Sequence, residues 1–230
     1  MIGQRHPTIA ASRVPPGVLW LPAGLLCMAL WLAPGPSLGQ SRQLEKAVEE
    51  SLALSAQGRY EAALPVAEKA LRLAEEEFGT NDLIYAFVLN NLAGNYRSQG
   101  FYAAAEPLYR RALTIIEAIS GPEHPDVAGI LNNMALSYLG ERRYSEAERL
   151  FVRSLRIKRR VLGEGHIDVA LTLANYAALL RATDRPDQAE GLEARAAAIR
   201  ANPQEAPPKA TKKKRKPRRR VEIEDTLGVP

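Results

Sequence analysis

Cysteine is nearly absent from this sequence, because Cys27 is the only thiol in 230 residues. It lies in an apolar amino-terminal stretch, so the rest of the chain can form neither a disulfide nor a thiolate metal site. Aromatic residues are also scarce, at 6%, whereas 46% of the residues are hydrophobic, with alanine and leucine prominent. Small and unbranched apolar side chains favour close-packed helices over sheets. The composition therefore predicts an all-α protein stabilised by packing.

Net positive charge is missing from most of the chain, although the formal charge of the whole is +5. Nine basic residues lie between Lys209 and Arg220, and without them 22 basic residues face 26 acidic ones. The remainder is therefore mildly acidic, and the basicity belongs to a carboxy-terminal tail.

The sequence also lacks the groupings that catalysis needs. His124 with Asp126 and His166 with Asp168 resemble a general base or a metal site, but they recur 42 residues apart at predicted helix starts. Helix capping explains such pairs. Gly163-Glu164-Gly165 has neither the preceding strand nor the following lysine of a phosphate-binding loop. We expect no enzyme activity, no metal and no cofactor.

No charged residue occurs from Val14 to Ser41, and Val18 to Ala33 is almost wholly apolar. Arg5 and Arg13 precede this stretch, and Ser37-Leu38-Gly39 offers small residues where a signal peptidase cleaves. This order of features is typical of a secretory signal peptide, so we expect an exported protein.

Two other interpretations of residues 1–39 remain open: an uncleaved amino-terminal anchor in the inner membrane and a core helix. The apolar centre has 16 residues, with Pro22 and Gly24 within it. A helix needs roughly 20 residues to span a bilayer. The length therefore favours a cleaved signal over an anchor.

The chain repeats itself with a period of 42 residues. The segment Leu89-Asn90-Asn91-Leu92-Ala93 returns as Leu131–Ala135 and again as Leu173–Ala177. Such periodicity indicates an array of stacked units. We predict one repeat domain over residues 40–202 and a disordered linker and tail over residues 203–230. Its four units are predicted at about 42–82, 83–126, 127–168 and 169–202.

Apolar residues within each unit recur at helical spacing, which predicts two helices per unit. Gly79, Gly121 and Gly163 suit the left-handed residue that ends a helix, and Pro125 suits a first helical position. The predicted helices run at about 42–57, 60–78, 83–99, 102–119, 125–140, 144–161, 167–183 and 186–200.

These motifs resemble the tetratricopeptide repeat. The 42-residue period, with its Asn-Asn-Leu-Ala and Gly-Pro-x-His-Pro-Asp segments, is similar to the kinesin-light-chain-like branch of that family. The resemblance covers roughly residues 43–200. It implies a right-handed α-solenoid of about four helix pairs, because a single pair cannot bury its apolar face alone. It also implies a concave surface, lined by the first helix of each pair, that binds peptides.

The terminal units depart from the pattern. Glu50 and Ser51 replace the Leu92 and Ala93 of the second unit. The fourth unit carries Asp184, Pro186 and Glu193 in place of Gly100, Tyr102 and Tyr109. Polar substitutions at the end of a stack are what a water-exposed cap requires.

A ladder of asparagines on the first helices is the candidate binding site. The resemblance implies that such amides pair with the backbone of an extended peptide, for which they carry both donors and an acceptor. The alternative is that these asparagines only bridge adjacent helices. The candidate groove residues are Asn91, Asn133 and Asn175, with Asn90 and Asn132 beside them and Arg97 and Arg181 as possible contacts for acidic groups.

The tail is predicted to be disordered, because its proline and basic residues cannot bury enough apolar surface to offset the entropy of ordering. It offers salt-sensitive contacts to anionic lipid, envelope polymers or nucleic acid, but no interleaved aromatic residue to stack on bases. We therefore do not expect sequence-specific nucleic-acid binding. The residues concerned are Lys212, Lys213, Lys214, Arg215, Lys216, Arg218, Arg219 and Arg220.

The sequence thus favours a non-catalytic scaffold of the bacterial cell envelope, in the periplasm or secreted, that binds an extended protein segment in its groove. The alternative makes the basic tail primary, as a binder of anionic membrane surface or nucleic acid, with the repeat array as a dimerisation module.

Overall fold

The computed structural model describes residues 38–204, with side chains from Ser41 onward. Residues 1–37 of the predicted signal segment and the basic tail lie outside these residues, whereas residues 38 and 39 belong to the first helix. Residues 38–204 contain eight helices and no strand. The helices are α1 (Leu38–Ala56), α2 (Tyr60–Phe78), α3 (Leu83–Ser98), α4 (Tyr102–Ser120), α5 (Pro125–Gly140), α6 (Tyr144–Leu162), α7 (Ile167–Ala182) and α8 (Pro186–Ala201).

The eight predicted helices are confirmed. The largest difference is at α1, which begins at Leu38 rather than near residue 42. Every helix packs against the one before it and the one after it. The helices form four consecutive units, α1–α2, α3–α4, α5–α6 and α7–α8.

The first helices of the units, α1, α3, α5 and α7, form an inner row. Each contacts the first helix of the next unit, whereas the second helices of neighbouring units meet at most marginally. A row whose members touch is the shorter side of the stack, so the inner row lies on the concave side. The predicted all-α solenoid is confirmed.

Small side chains are buried between the helices. Ala93, Ala105 and Ala112 in the second unit are fully buried, as are Ala135 and Ala147 in the third. Burying an alanine costs no side-chain rotamer entropy, and its small side chain lets two helix axes come close together. These alanines therefore allow the helices to pack closely.

Glycine ends α2, α4 and α6. Gly79, Gly121 and Gly163 have φ of 74°, 89° and 90°. Their ψ values lie between 157° and 178°, a region that is open almost only to glycine. The prediction of positive-φ glycines at these helix ends is confirmed.

The turn inside each unit also contains one residue with positive φ, at the same repeat position. It is Gly58 in the first unit and Gly100 in the second, but Arg142 in the third and Asp184 in the fourth. Arg142 and Asp184 have φ of 61° and 58°. The backbone of the turn is therefore conserved along the array even where the side chain departs from glycine.

The His–Asp pairs are helix caps, as predicted. His124 precedes α5, and its Nδ1 accepts a hydrogen bond of 3.3 Å from the backbone N–H of Asp126. His166 precedes α7, and its Nδ1 accepts one of 3.1 Å from Asp168. Pro125 holds the first position of α5.

The interpretation of Ser51 as part of a water-exposed cap is wrong. Ser51 is only 3% exposed and lies where α1 meets α3. Asn95 Nδ2 lies 3.5 Å from Ser51 Oγ, and Ser55 donates a 2.6 Å hydrogen bond to Asn95 Oδ1. The second unit covers this position, so its polarity is satisfied by buried hydrogen bonds rather than by water.

Candidate functional site

One stripe of the inner row remains accessible. Between Leu83 and Asn95 of α3, the accessible residues are Leu83, Phe87, Asn91 and Gly94. Spacings of four, four and three residues place them on one side of the helix. This side faces the concave surface, because the rest of α3 is buried against its neighbours.

The same repeat positions on α5 and α7 continue the stripe, and together they form what we call the groove face. All of its side chains are uncharged, and it combines apolar residues with one asparagine per helix. On α5 it is nearly closed, because Gly129 and Asn133 are buried. The groove face consists of Leu83, Phe87, Asn91, Gly94 and Ser98; Pro125, Gly129, Asn133, Leu136 and Gly140; and Ile167, Leu171, Asn175, Ala178 and Ala182.

Large apolar side chains are exposed at both ends of the groove face. Leu83 is 40% exposed on α3, and Ile167 and Leu171 are 39% and 38% exposed on α7. Phe87 and Leu136 are partly exposed between them. An apolar concave strip of this kind is a typical surface for binding another chain.

The asparagine ladder bridges neighbouring first helices. Asn133 Nδ2 donates to Asn90 Oδ1 and Asn175 Nδ2 donates to Asn132 Oδ1, both at 3.1 Å. Asn90, Asn132 and Asn133 are buried, whereas Asn175 is partly exposed. The bridging interpretation thus describes the contacts that these four amides make within the chain.

Asn91 differs from the other members of the ladder. One unit earlier, the place of Asn90 and Asn132 is taken by the buried Val48, which offers no acceptor. The backbone carbonyl of Asn91 accepts a 3.2 Å hydrogen bond from Asn95 Nδ2. Within residues 38–204, its own side-chain amide makes no hydrogen bond, and the residue is partly exposed on the groove face. Asn91 therefore has its donors and its acceptor available for a ligand.

The two arginines proposed for acidic groups face the second helix of their own unit. Arg181 forms a bidentate pair with Glu193, at 2.8 and 2.6 Å. Arg97 lies against the buried Tyr109, where burial raises the pKa of the tyrosine and the arginine partly offsets the rise. Position 97 corresponds to 181, and 109 to 193, so both arginines serve the same contact within a unit. Neither belongs to the groove face.

A pair of ion pairs on the outer side escaped the sequence analysis. Glu106 binds Arg143 at 3.0 Å and Glu148 binds Arg185 at 2.9 Å, each tying a second helix to the turn of the following unit. The hydrogen bonds from Arg185 lower the pKa of Glu148. Burial, and the bond that its hydroxyl donates to Glu148, raise the pKa of Tyr176 to about 12. The signal in the sequence was the repetition of both partners, because Arg143 and Arg185 are 42 residues apart, as are the two glutamates.

A cavity of about 610 Å³ lies at the turn edge between the second and third units, lined mostly by Phe101, Tyr102 and small residues. The described residues contain no group of three or more histidine, cysteine, aspartate or glutamate side chains that could hold a metal ion. None of the helices between residues 38 and 204 combines the length and the hydropathy that crossing a bilayer requires.

The profile of the tetratricopeptide repeat matches the chain three times, over residues 48–118, 85–158 and 126–202. These overlapping matches cover the helical array almost from end to end. No curated protein matches the chain.

Two solved structures show the same architecture. The chain is 22% identical to BtubC (BKLC) from P. vanneervenii, with a TM-score of 0.61 over 82% of this chain and 76% of that one. It is 19% identical to a putative kinesin light chain with nearly identical TPR-like repeats from Podosopora anserina, with a TM-score of 0.55 over 77% and 83% of the two chains. At such identities the likeness concerns the fold alone.

Proposed function

The chain belongs to the tetratricopeptide repeat family, and we propose that it is a non-catalytic scaffold that binds an extended segment of another protein along the groove face. The observation that carries this proposal is the uncharged stripe on the inner row, which is nearly closed on α5 but open at both ends. Leu83, Ile167 and Leu171 there are each more than a third exposed. Leaving such side chains in water is unfavourable, and a bound chain would cover them.

The chemistry of the groove face specifies the kind of ligand. Apolar side chains at α3 and α7 select apolar side chains of the partner. Asn91 supplies two donors and one acceptor, which match the backbone of an extended segment whatever its sequence. The groove face has no charge, and Arg181 is paired with Glu193. We therefore do not expect the groove to select acidic segments.

We further propose that the scaffold acts in the bacterial cell envelope, after export directed by residues 1–39. The support is the order of positive, apolar and small residues in that segment. The basic residues from Lys212 to Arg220 would then add a salt-sensitive contact with an anionic surface. Fusing residues 1–45 to a reporter that is active only outside the cytoplasm tests the export, and a silent reporter would exclude it.

The binding test uses a library of random extended peptides displayed on phage, selected on the full chain. We expect the selected peptides to share apolar residues, and their dissociation constants to rise about three- to sevenfold with Leu171→Ser. Fully burying a large apolar side chain contributes roughly 1.5–3 kcal/mol, and a ligand covers only the 38% of Leu171 that is exposed. Asn91→Ala should raise them about fivefold, the equivalent of ~1 kcal/mol for one hydrogen bond.

The matched control is Val152→Ser on α6. Val152 is 51% exposed, like the groove residues, but it belongs to a second helix. Fluorescence anisotropy with a labelled peptide should give the same dissociation constant for this variant as for the unaltered chain. Equal weakening by Val152→Ser and Leu171→Ser would contradict the groove proposal.

The alternative, in which the tail is the primary binding element, predicts a different result. Neutralising Lys212, Lys213, Lys214 and Arg215 with glutamine would then abolish binding, and the loss would follow the salt dependence of a phosphate or carboxylate surface. If peptide binding disappears in this variant and survives Leu171→Ser and Asn91→Ala, the scaffold proposal fails.

A further inference from the structure

The described chain ends at the groove. After α8, the backbone N–H of Gln204 donates a 3.0 Å hydrogen bond to the carbonyl of Gly165, in the loop that leads into α7. The Gln204 side chain also lies so close to Gly165 that a Cβ there would be 2.6 Å from its Oε1. Two residues further on, Ile167 opens the groove face. The carboxy-terminal segment therefore starts beside one end of the exposed apolar stripe.

Residues 205–230 contain four large apolar side chains, and all of them lie in the last ten residues. Val221 and Ile223 are two residues apart, and so are Leu227 and Val229. In an extended chain, residues two apart point to the same side. An extended segment of this kind places its four apolar side chains on one side, together with Asp225, and Glu222 and Glu224 on the other.

The distance is within reach. Packed helices lie about 8–10 Å apart, so the groove face from α7 to α3 spans roughly 20 Å. Val221 follows Gln204 by 17 residues, and a chain of that length reaches up to about 55 Å. The segment can therefore lie anywhere on the groove face without leaving its own molecule, and tethering gives it a high effective concentration there.

We propose that the groove face is occupied by the chain's own segment Val221–Val229. The apolar side chains of the segment cover Leu83, Ile167 and Leu171. Glu222 and Glu224 face water, and the free amide of Asn91 pairs with the backbone of the segment. An external partner would have to displace this segment. This occupancy rests on the groove face of the proposed function, but it needs no second protein and can be tested without an external partner.

Hydrogen exchange followed by mass spectrometry on the full chain tests the occupancy directly. We expect the amides of residues 221–229 to exchange at least tenfold more slowly than in a chain carrying Val221→Ser and Ile223→Ser. The groove variant Leu83→Ser with Leu171→Ser should release the segment to the same extent, because it removes the apolar surface from the other side. The outer-face variant Val152→Ser should leave the protection unchanged.

Three results would overturn the inference. In the first, the segment of the unaltered chain would exchange as fast as that of the serine variant. In the second, Val152→Ser would release the segment as fully as the groove variant does. In the third, the protection would fall on tenfold dilution, which would place a second copy's segment in the groove. Exchange from the helices in the same spectra shows whether a groove variant has unfolded, and the tail variant, which leaves the array untouched, then carries the test. External peptides that fail to bind even the variant with Val221→Ser and Ile223→Ser, whose groove is no longer occupied, would instead contradict the proposed function and leave this inference standing.

Discussion

The second and third units differ from the fourth at the positions that a following unit covers. Tyr109 in the second unit and Phe151 in the third are fully buried. Their counterpart in the fourth unit, Glu193, has a side chain that is 42% exposed and is paired with Arg181. The helices nevertheless have the same positions in the repeat. The backbone of a unit is therefore set by its own pattern, and the need for an apolar side chain is set by its neighbour.

The largest expected effect separates Phe151 from Glu193. Phe151 is completely buried and stacks on Tyr176 with ring centroids 5.9 Å apart. Phe151→Ala should lower the free energy of unfolding by about 3–5 kcal/mol, because it leaves a cavity. Glu193→Ala should lower it by less than about 1 kcal/mol, since it removes an exposed ion pair. Urea denaturation followed by circular dichroism measures both, and equal losses would erase the distinction between the units.

A smaller effect separates two asparagines at one repeat position. Asn133→Ala should destabilise the array by about 1–3 kcal/mol, because it leaves the buried Oδ1 of Asn90 without its donor. Asn91→Ala should change stability by less than about 0.5 kcal/mol, since its amide makes no bond to lose. Thermal unfolding of the two variants provides the comparison. A destabilising Asn91→Ala would show that its amide has a structural partner.

Lys158 sharpens the comparison from the opposite direction. Lys158 is only 7% exposed and takes the repeat position that Ile116 has in the second unit. Its Nζ donates a 2.9 Å hydrogen bond to Thr172 Oγ1 and a 3.3 Å hydrogen bond to the carbonyl of Asp168. Burial lowers its pKa, and the charge of Asp168 opposes that change only partly. Lys158→Ile should stabilise the fold at neutral pH by about 1–2 kcal/mol, since an apolar side chain replaces a buried cation.

The pH dependence gives the control for Lys158. Its pKa is lower in the folded state than in the unfolded state, so the unfolded state binds more protons between the two values. Stability should therefore rise with pH from the lowered pKa toward 10.5, the usual value for lysine. This rise should be absent in Lys158→Ile, as measured by unfolding from pH 7 upward. A variant with the same slope would show that the group titrates normally.

The smallest expected effect concerns the turns. Arg142 has φ of 61°, where the second unit has Gly100. A left-handed conformation costs an ordinary residue roughly 1–2 kcal/mol. Glycine avoids this cost, but it loses more backbone entropy on folding, which offsets part of the gain. Arg142→Gly should therefore stabilise the protein by about 0.5–1 kcal/mol, and Gly100→Arg should destabilise it by a similar amount. Differential scanning calorimetry would contradict this if both substitutions acted in the same direction.

Most of the fold could be predicted because the same helix and turn signals recur in each 42-residue unit. The helix boundaries, the glycines that end α2, α4 and α6 and the caps at His124 and His166 all follow from local chemistry at fixed positions. The contacts between units could not be predicted in the same way. Alignment suggested that Asn91, Asn133 and Asn175 are equivalent, but their partners are set by the preceding unit, and Val48 makes Asn91 different.

The sequence by itself determined that the chain forms paired helices, since helical periodicity, turn residues and capping act within a few neighbouring residues. Only the tertiary structure decided which side chains lie under a neighbour: that Ser51 is buried, that Glu106 and Glu148 tie successive units together, and that an uncharged stripe stays exposed on the inner row. Burial depends on the stacked array, because each surface is covered by residues of the neighbouring unit, about 42 positions away. A pattern within a few residues does not show which side chains that neighbour buries.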